Sequence, residues 1–588
     1  MVQGLLHVGI PQVKDSLIGI TLLVELGVAA SFAAILARTA TFKNLLLNPH
    51  RTMRQKLAMV AMISIPLTLG VWLRTFVPNF LAADLSFEAT ILMGLLLGPG
   101  AAMIGGATLA IPALAHVGSP DVFYEGDAGP YHLFVTVRMP QVIPGVAEIQ
   151  VRCENGDVKT VQIVPLRLSG LGSNFPPTPD LAKVSKDDPQ FFTGNLWLME
   201  SGALQVRVMV DGAKGKGELS VPVASFAQRT FPMDKPLAGL MVVMLLVLGI
   251  GVISIAGAGA REASLERGEV PGPANARRAK IVMLVTIILV AGLLYLGKSW
   301  WALEDSDYQG RVNFYKPPIA ETTLENGNRL VIRARGQNPK WSDRINMGEV
   351  VPDHNHLMHL FLIELPGMNR MWHLHPTLLE GGAFADDLPT MPAGHYQVFA
   401  DVVDSRGFPW TLVGTVDLPE INGKPLSGDD STWSGEAIAS VLGKDDTVSQ
   451  LADGGRMIWE RGPGPLRAKT AMDFKFSVQD KDGKPAQDLE PYMGMAGHAE
   501  FVGSDLSVFA HVHPAGSVPM ASLEMAQAGL MGDASSMQSG MAMAPASGSM
   551  PAEVGFPYGF PKAGDYRIFV QVKRAGKVET GVFDAQVQ

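Results

Sequence analysis

The apolar residues of this chain are gathered into blocks long enough to cross a lipid bilayer, and this limits what the rest can become. A helix needs about 20 apolar residues to span the hydrocarbon. Residues 17–37 meet that length and are followed by Arg38, Lys43, Arg51, Arg54 and Lys56 with no acid among them. Residues 57–73 form a second block, ending at Arg74. Residues 87–117 are interrupted by Gly98-Pro99-Gly100 and by Gly105-Gly106, which predicts a re-entrant hairpin or two short helices. Residues 237–260 and 281–297 are two further spans. No basic stretch followed by an apolar core and a small-residue cleavage site precedes residue 17, so the first block is expected to be an anchor.

Orientation follows from the basic connectors. Short loops rich in Lys and Arg stay in the cytoplasm. The segment after residue 37 is one such loop, and the segment with Arg261, Arg267, Arg277, Arg278 and Lys280 is another. Both can be cytoplasmic only if residues 118–236 and 298–588 lie outside. The expected location is therefore the cytoplasmic (inner) membrane, with large periplasmic or otherwise extracytoplasmic domains and the lipid bilayer as a partner. Trp300 and Trp301 then suit the outer interface. A net charge of −9 gives no reason to expect a nucleic-acid partner. With Cys153 as its one cysteine the chain has no intrachain disulfide, and that thiol is expected to be buried.

Outside the apolar blocks the pattern is that of strands. Residues 131–138, 146–152, 158–164, 204–210 and 217–223 alternate, with turn residues between them. They predict a β-sandwich, whose lone His132 is given no chemistry. The expected fold is membrane α plus all-β, with a helical membrane anchor and three extracytoplasmic antiparallel β-sandwich (Ig-like) domains. The boundaries read as membrane helices over 1–118, a sandwich over 119–235, two transmembrane helices over 236–299, and sandwiches over 300–425 and 426–588.

The last two sandwiches carry an internal repeat. Nine of the thirteen histidines lie beyond residue 350. In one copy His359 opens a strand, His373-Leu374-His375-Pro376 follows, and Ala393-Gly394-His395-Tyr396 comes later. In the other, His498 opens a strand, His511-Val512-His513-Pro514 follows, and Ala563-Gly564-Asp565-Tyr566 comes later. Residues two apart in a strand face the same side. His373 and His375 therefore point together, as do His511 and His513, with His359 or His498 reaching them from the preceding strand. Three imidazoles on one patch suit copper, zinc or nickel. The proline after each pair places the patch at a strand end or sheet edge. The alternative is a fold-defining role, with ring nitrogens bonded to backbone carbonyls. His354 and His356 face one side just before His359, as extra ligands or as a solvated loop.

Methionines add a second signal. Met520, Met525, Met531, Met537, Met541, Met543 and Met550 stand among Ala, Gly and Ser, in a segment expected to build no core. Thioethers favour Cu(I), and Met493 and Met495 precede His498. With Tyr492-Met493-Gly494-Met495, His498, His511-Val512-His513-Pro514 and the Met-rich loop, the C-terminal region resembles bacterial extracytoplasmic copper-handling sandwich domains of the CopC or YtkA-like kind. That resemblance implies copper binding without fixing the ligands. The run from Asp84 through Gly98-Pro99-Gly100 to Gly105-Gly106 resembles the membrane part of LytS/YhcK-type five-helix receptors, which implies a shared membrane module.

The function expected from sequence is a membrane-anchored extracytoplasmic metal-binding protein that buffers, senses or delivers copper, with zinc as the alternative metal. The candidate ligands are His359, His373, His375, His498, His511, His513, Met493 and Met495. A receptor or structural subunit of a larger membrane complex, with sandwiches as docking surfaces, is the other reading. An enzyme is not expected, because no nucleophile, phosphate-loop or metalloprotease motif occurs and Glu500 is the one acid on the His498 strand face.

Overall fold

The computed structural model describes residues 120–588 except 156, 171, 231–232, 267, 338–346, 439–446 and 532–549. The expected spans over 17–37, 57–73 and 87–117 and the resemblance to membrane receptors lie outside the described residues. The described part is mostly β-sheet with few helices.

Alternation builds the first sandwich. Strands β1 (Val122–Ala128), β2 (Tyr131–Arg138), β3 (Gly145–Cys153), β4 (Val158–Arg167), β5 (Asp180–Leu181), β6 (Lys183–Val184), β7 (Phe191–Leu198), β8 (Gly202–Gly212) and β9 (Gly215–Ser225) form two sheets. Their orders are β1-β2-β3-β7-β6 and β5-β4-β8-β9. On β3, Ala147, Ile149, Val151 and Cys153 point inward while Val146, Glu148 and Arg152 are exposed. Cys153 is buried, as expected.

Two helices follow, α1 (Lys235–Glu262) and α2 (Pro273–Phe314). Both are long and apolar enough to cross a membrane, with mean hydropathies of 2.7 and 2.5 in their most apolar stretches. Large apolar side chains such as Leu246, Ile250, Leu284 and Leu293 stay exposed on them. A polar surface helix would not have that character. Helix α2 runs well past residue 300, where the next domain was expected to begin. Residues 298–314 hold no proline, and Pro317-Pro318 stops the helix.

The next unit comprises β10 (Ile319–Glu325), β11 (Arg329–Arg335), β12 (Val350–Val351), β13 (His359–Leu365), β14 (Arg370–Leu374), β15 (Thr377–Leu378), β16 (Phe384–Asp387), β17 (Gly394–Asp404), β18 (Pro409–Leu418) and β19 (Ser431–Ser434). Its sheet order is β15-β16-β11-β10-β18-β17-β13-β14-β19. The β10–β18 link is a single parallel pairing, Ile319 with Val413. The sheet therefore folds over there and encloses a core of Leu330, Ile332, Leu360, Leu362, Tyr396, Val398 and Leu412. Strand β19 pairs with β14, so this unit reaches beyond the expected boundary at 425.

The last unit repeats that plan. It comprises β20 (Val448–Gln450), β21 (Arg456–Trp459), β22 (Met472–Gln479), β23 (Leu489–Glu490), β24 (His498–Gly503), β25 (Phe509–Val512), α3 (Met520–Met531), β26 (Glu553–Tyr558), β27 (Gly564–Arg574) and β28 (Lys577–Val587). The triplet β21-β22-β26 matches β10-β11-β16, and β28-β27-β24-β25 matches β18-β17-β13-β14. Each copy has a tyrosine whose hydroxyl donates to a carbonyl four residues back, Tyr396 to Pro392 and Tyr566 to Lys562.

The strands that carry the histidines are apolar on both faces, because both faces are covered. On β13, Leu360 and Leu362 enter the domain core. Phe361 and Ile363, on the other face, join Phe399, Val502, Phe509 and Phe569 in a separate cluster between the two copies. On β24, Ala499 and Phe501 point into their own core. His359 and His498 therefore lie on the shared face by parity. The first sandwich closes against the last unit: Phe123 enters the core of that unit, and Glu125 N–H donates to the Ala515 carbonyl at 2.8 Å.

Candidate metal centre

The shared face gathers eight imidazoles: His354, His356, His359, His373, His375, His498, His511 and His513. His359, His373 and His375 each offer a nitrogen within 4.8 Å of the others, as their strand spacing predicts. The second group so defined is His354, His498 and His513. The expected set joins His498 to His511 and His513; in this group His354 of the first copy stands with His498 and His513. His511 lies between the groups, its ring 5.2 Å from His359, 5.4 Å from His498 and 4.7 Å from His513. His356 stacks on His375 at 3.8 Å.

Four of the eight histidines are withdrawn from the protein surface. His359, His373, His498 and His513 are all buried. Strand β25 ends its sheet, but β14 is covered by β19, and the partner copy covers the histidine face of both. The strands end at Leu374 and Val512, just before Pro376 and Pro514, as the prolines predict.

For five of the rings the hydrogen bonds fix which nitrogen is bare. A carbonyl oxygen only accepts, so the ring nitrogen bonded to it carries the hydrogen. His354 Nδ1 donates to the Met493 carbonyl at 3.0 Å, His359 Nε2 to the Asp353 carbonyl at 3.2 Å and His513 Nδ1 to the Val518 carbonyl at 3.1 Å. His373 Nδ1 donates to Gln571 Oε1 at 2.8 Å, and His375 Nδ1 to Asp430 at 2.9 Å. Such outer bonds orient imidazole ligands and fix their tautomers in metal sites. They leave His359 Nδ1 and His373 Nε2 without hydrogens, facing each other at 3.2 Å. Two lone pairs repel at that distance unless a cation lies between them. Bonds of about 2.0–2.1 Å to one tetrahedral ion would place two nitrogens about 3.3 Å apart. The Nε2 atoms of His354, His375, His511 and His513 and both nitrogens of His498 are buried without a hydrogen-bond partner among the described residues. Each such atom costs about 1–3 kcal/mol if left unmet. The donor set fits a metal that accepts imidazole.

Burial, and then neighbouring imidazoles, holds His359, His373, His498 and His513 well below the usual histidine range. Burial also lowers His354 and His356. These six are neutral at pH 7, the form that binds metal.

A local two-fold exchange organises the centre. Asp353-His354-Asn355-His356 is a tight hairpin turn, with φ of 52° and 68° at its central residues. Tyr492-Met493-Gly494-Met495 is the same turn in the second copy, with 51° and 83°. The shared spacing of five residues from His354 to His359 and from Met493 to His498 was the signal available in sequence. Opposite His359 stands Asp401, and opposite His498 stands Gln571. Each reaches the other copy: Gln571 holds His373, and Asp401 lies 3.6 Å from His511. Met493, proposed as a thioether ligand, meets the centre through its backbone carbonyl, and Met495 closes the turn by backbone bonds with Tyr492.

Glu500 occupies the position of Phe361 and is buried with neither carboxyl oxygen bonded. Burial, and then Asp401, raises it well above the usual carboxylate range. Helix α3 corrects the reading of the Met-rich segment as coreless. Ala521, Leu523 and Ala526 are buried, and Ala521 N–H donates to Asp353 at 2.8 Å. Met550 packs against the last core. Met537, Met541 and Met543 lie outside the described residues.

Residues 450–588 match a family described as a domain of unknown function, DUF8832. No curated protein matches the chain. Among solved structures, latent PorU from Porphyromonas gingivalis is 9% identical with a TM-score of 0.12, covering 80% of this chain and 34% of its own. Salmonella alpha-2-macroglobulin is 9% identical with a TM-score of 0.17, covering 81% and 24%. SGBP-B of Bacteroides uniformis is 8% identical with a TM-score of 0.13, covering 77% and 98%. The chain thus spans about a third and a quarter of the first two. Scores this low carry no argument about fold or function.

Proposed function

We propose that this chain is a membrane-anchored protein that holds its sandwich units outside the cytoplasm and binds copper between the last two of them, to buffer, sense or deliver it. One observation carries the reading: His359 Nδ1 and His373 Nε2, each with its hydrogen committed elsewhere, face each other at 3.2 Å in a buried space. Two imidazole triads make two ion sites. The first is His359, His373 and His375, and the second is His354, His498 and His513, with His511 beside both. Imidazole alone accepts copper or zinc. The methionines of 532–549 are the feature that favours copper, because thioethers select Cu(I). The two apolar helices supply the anchor, and the basic segment between them supports its orientation.

Metal analysis of the full chain purified in detergent tests this. About two copper ions per chain are expected, falling to about one in His373→Ala plus His375→Ala. Zinc in the same ratio would change the metal and keep the site, whereas no bound metal in a folded protein would return these histidines to a structural role.

A further inference from the structure

We infer that the metal centre opens onto a built pocket for a small organic molecule with a ring-sized apolar body and one oxygen donor. This deepens the copper reading and rests on it. A cavity of about 190 Å³ lies where the first sandwich meets the two histidine-bearing units. Its histidine end is formed by His359, His511 and His513, and its other walls include Ala224, Phe408 and Trp410. One water occupies about 30 Å³ of liquid, so the space exceeds what a single bound water needs. The histidine end belongs to both triads. His359 comes from the first, His513 from the second, and His511 Nε2 is buried there without a partner among the described residues.

A triad of imidazoles leaves a tetrahedral ion one position for an outside ligand. A site made only to store metal has no use for apolar walls beside that position. Here Phe408 and Trp410 are packed with ring centroids 4.7 Å apart and held by Tyr315, whose ring stacks on Trp410 at 5.9 Å. Walls of this kind fit a flat ring, with few polar groups to fix its orientation. Asp401, 3.6 Å from His511, is a charged group at the same end. The pocket also gives the first sandwich a role, since Ala224 of β9 closes it from that side.

The test uses the full chain in detergent, loaded with Cu(II), with phenol and azide as probes. Phenol should add a ligand-to-metal absorption band in the wild type, and azide should perturb the copper spectrum as well. Ala224→Leu and Ala224→Trp narrow the pocket without touching a histidine. They should weaken the phenol response in that order, by roughly tenfold or more for Trp, as overfilling a packed space does, while azide still binds. No phenol response from copper-loaded wild type, or one unchanged in both variants, overturns the pocket and leaves the metal sites standing. Failure of the wild type to retain copper overturns both readings.

Discussion

His354 comes from the first copy and stands with His498 and His513 of the second. It sits in the left-handed region, with φ of 52°, which costs a non-glycine residue about 1–2 kcal/mol. Its turn is held by two backbone bonds between Asp353 and His356, of 2.8 and 2.9 Å. Its ring lies 4.9 Å from that of His498 and 4.7 Å from that of His513. His354→Asn keeps a residue that tolerates this backbone and removes the ligand. It should leave the fold intact and reduce bound copper from about two ions to about one, as read by metal analysis beside a circular-dichroism melt. Full occupancy in this variant would return the second site to His498, His511 and His513. Gln571→Leu removes the shorter of the two contacts at His373 Nδ1, leaving the Tyr492 hydroxyl at 3.3 Å. Loss of such an outer partner lowers metal affinity about 10–100-fold. A competition titration reads that change, and unchanged affinity would show that Gln571 does not orient the ligand.

At the scale of elements, the strand repeat was legible because its geometry is local. The step of two in His373-Leu374-His375 and the return from His359 need only one hairpin, and that hairpin forms. The partnership of the two copies was not legible, since nothing in either strand names the surface that will cover it. A weaker cue was present: Leu360-Phe361-Leu362-Ile363 has no polar face, and a strand that greasy must be covered on both sides. The insertion after His513 misled because its composition is that of a coreless loop, while α3 needs only small residues to lie against β9 and Gly407. Ser522 Oγ donates to the Gly407 carbonyl at 2.9 Å. Deleting 532–549 should therefore lower Cu(I) affinity with little loss of stability. Deleting 520–550 should destabilise the protein by several kcal/mol, on the order of 2–5 for buried side chains of this kind. Denaturant midpoints separate the two, and equal midpoints would show that α3 adds nothing.

For the whole molecule, the buried histidines tie stability to pH. His359, His373, His498 and His513 titrate well below their usual range because burial, and then their neighbours, disfavour the charged ring. In the unfolded chain they titrate near pH 6.5, at about the model-peptide value. Above that pH they are neutral in both states. Below it the unfolded chain takes up protons that the folded chain refuses, so stability is lost as pH falls from about 6.5. The loss reaches about 1.4 kcal/mol per pH unit for each histidine. His132 acts in the opposite sense: burial opposes its charge, but hydrogen bonds to Glu125 and Asp127 outweigh that and raise it. Glu500, raised by burial and then by Asp401, also acts in the opposite sense, so His132 and Glu500 stand against six histidines whose charge the fold disfavours. Metal-stripped protein should lose denaturant resistance steeply between about pH 6.5 and 5, and a flat profile would mean that the rings are not held neutral.

If imidazoles of two sandwich units share bound copper, X-ray absorption at the copper edge of the loaded full chain registers them. The expected spectrum has about three nitrogen neighbours near 2.0 Å with the outer-shell pattern of imidazole rings, and it changes when His359 or His354 is replaced. A spectrum without imidazole scattering, or one identical in those variants, would mean that these imidazoles do not hold the copper.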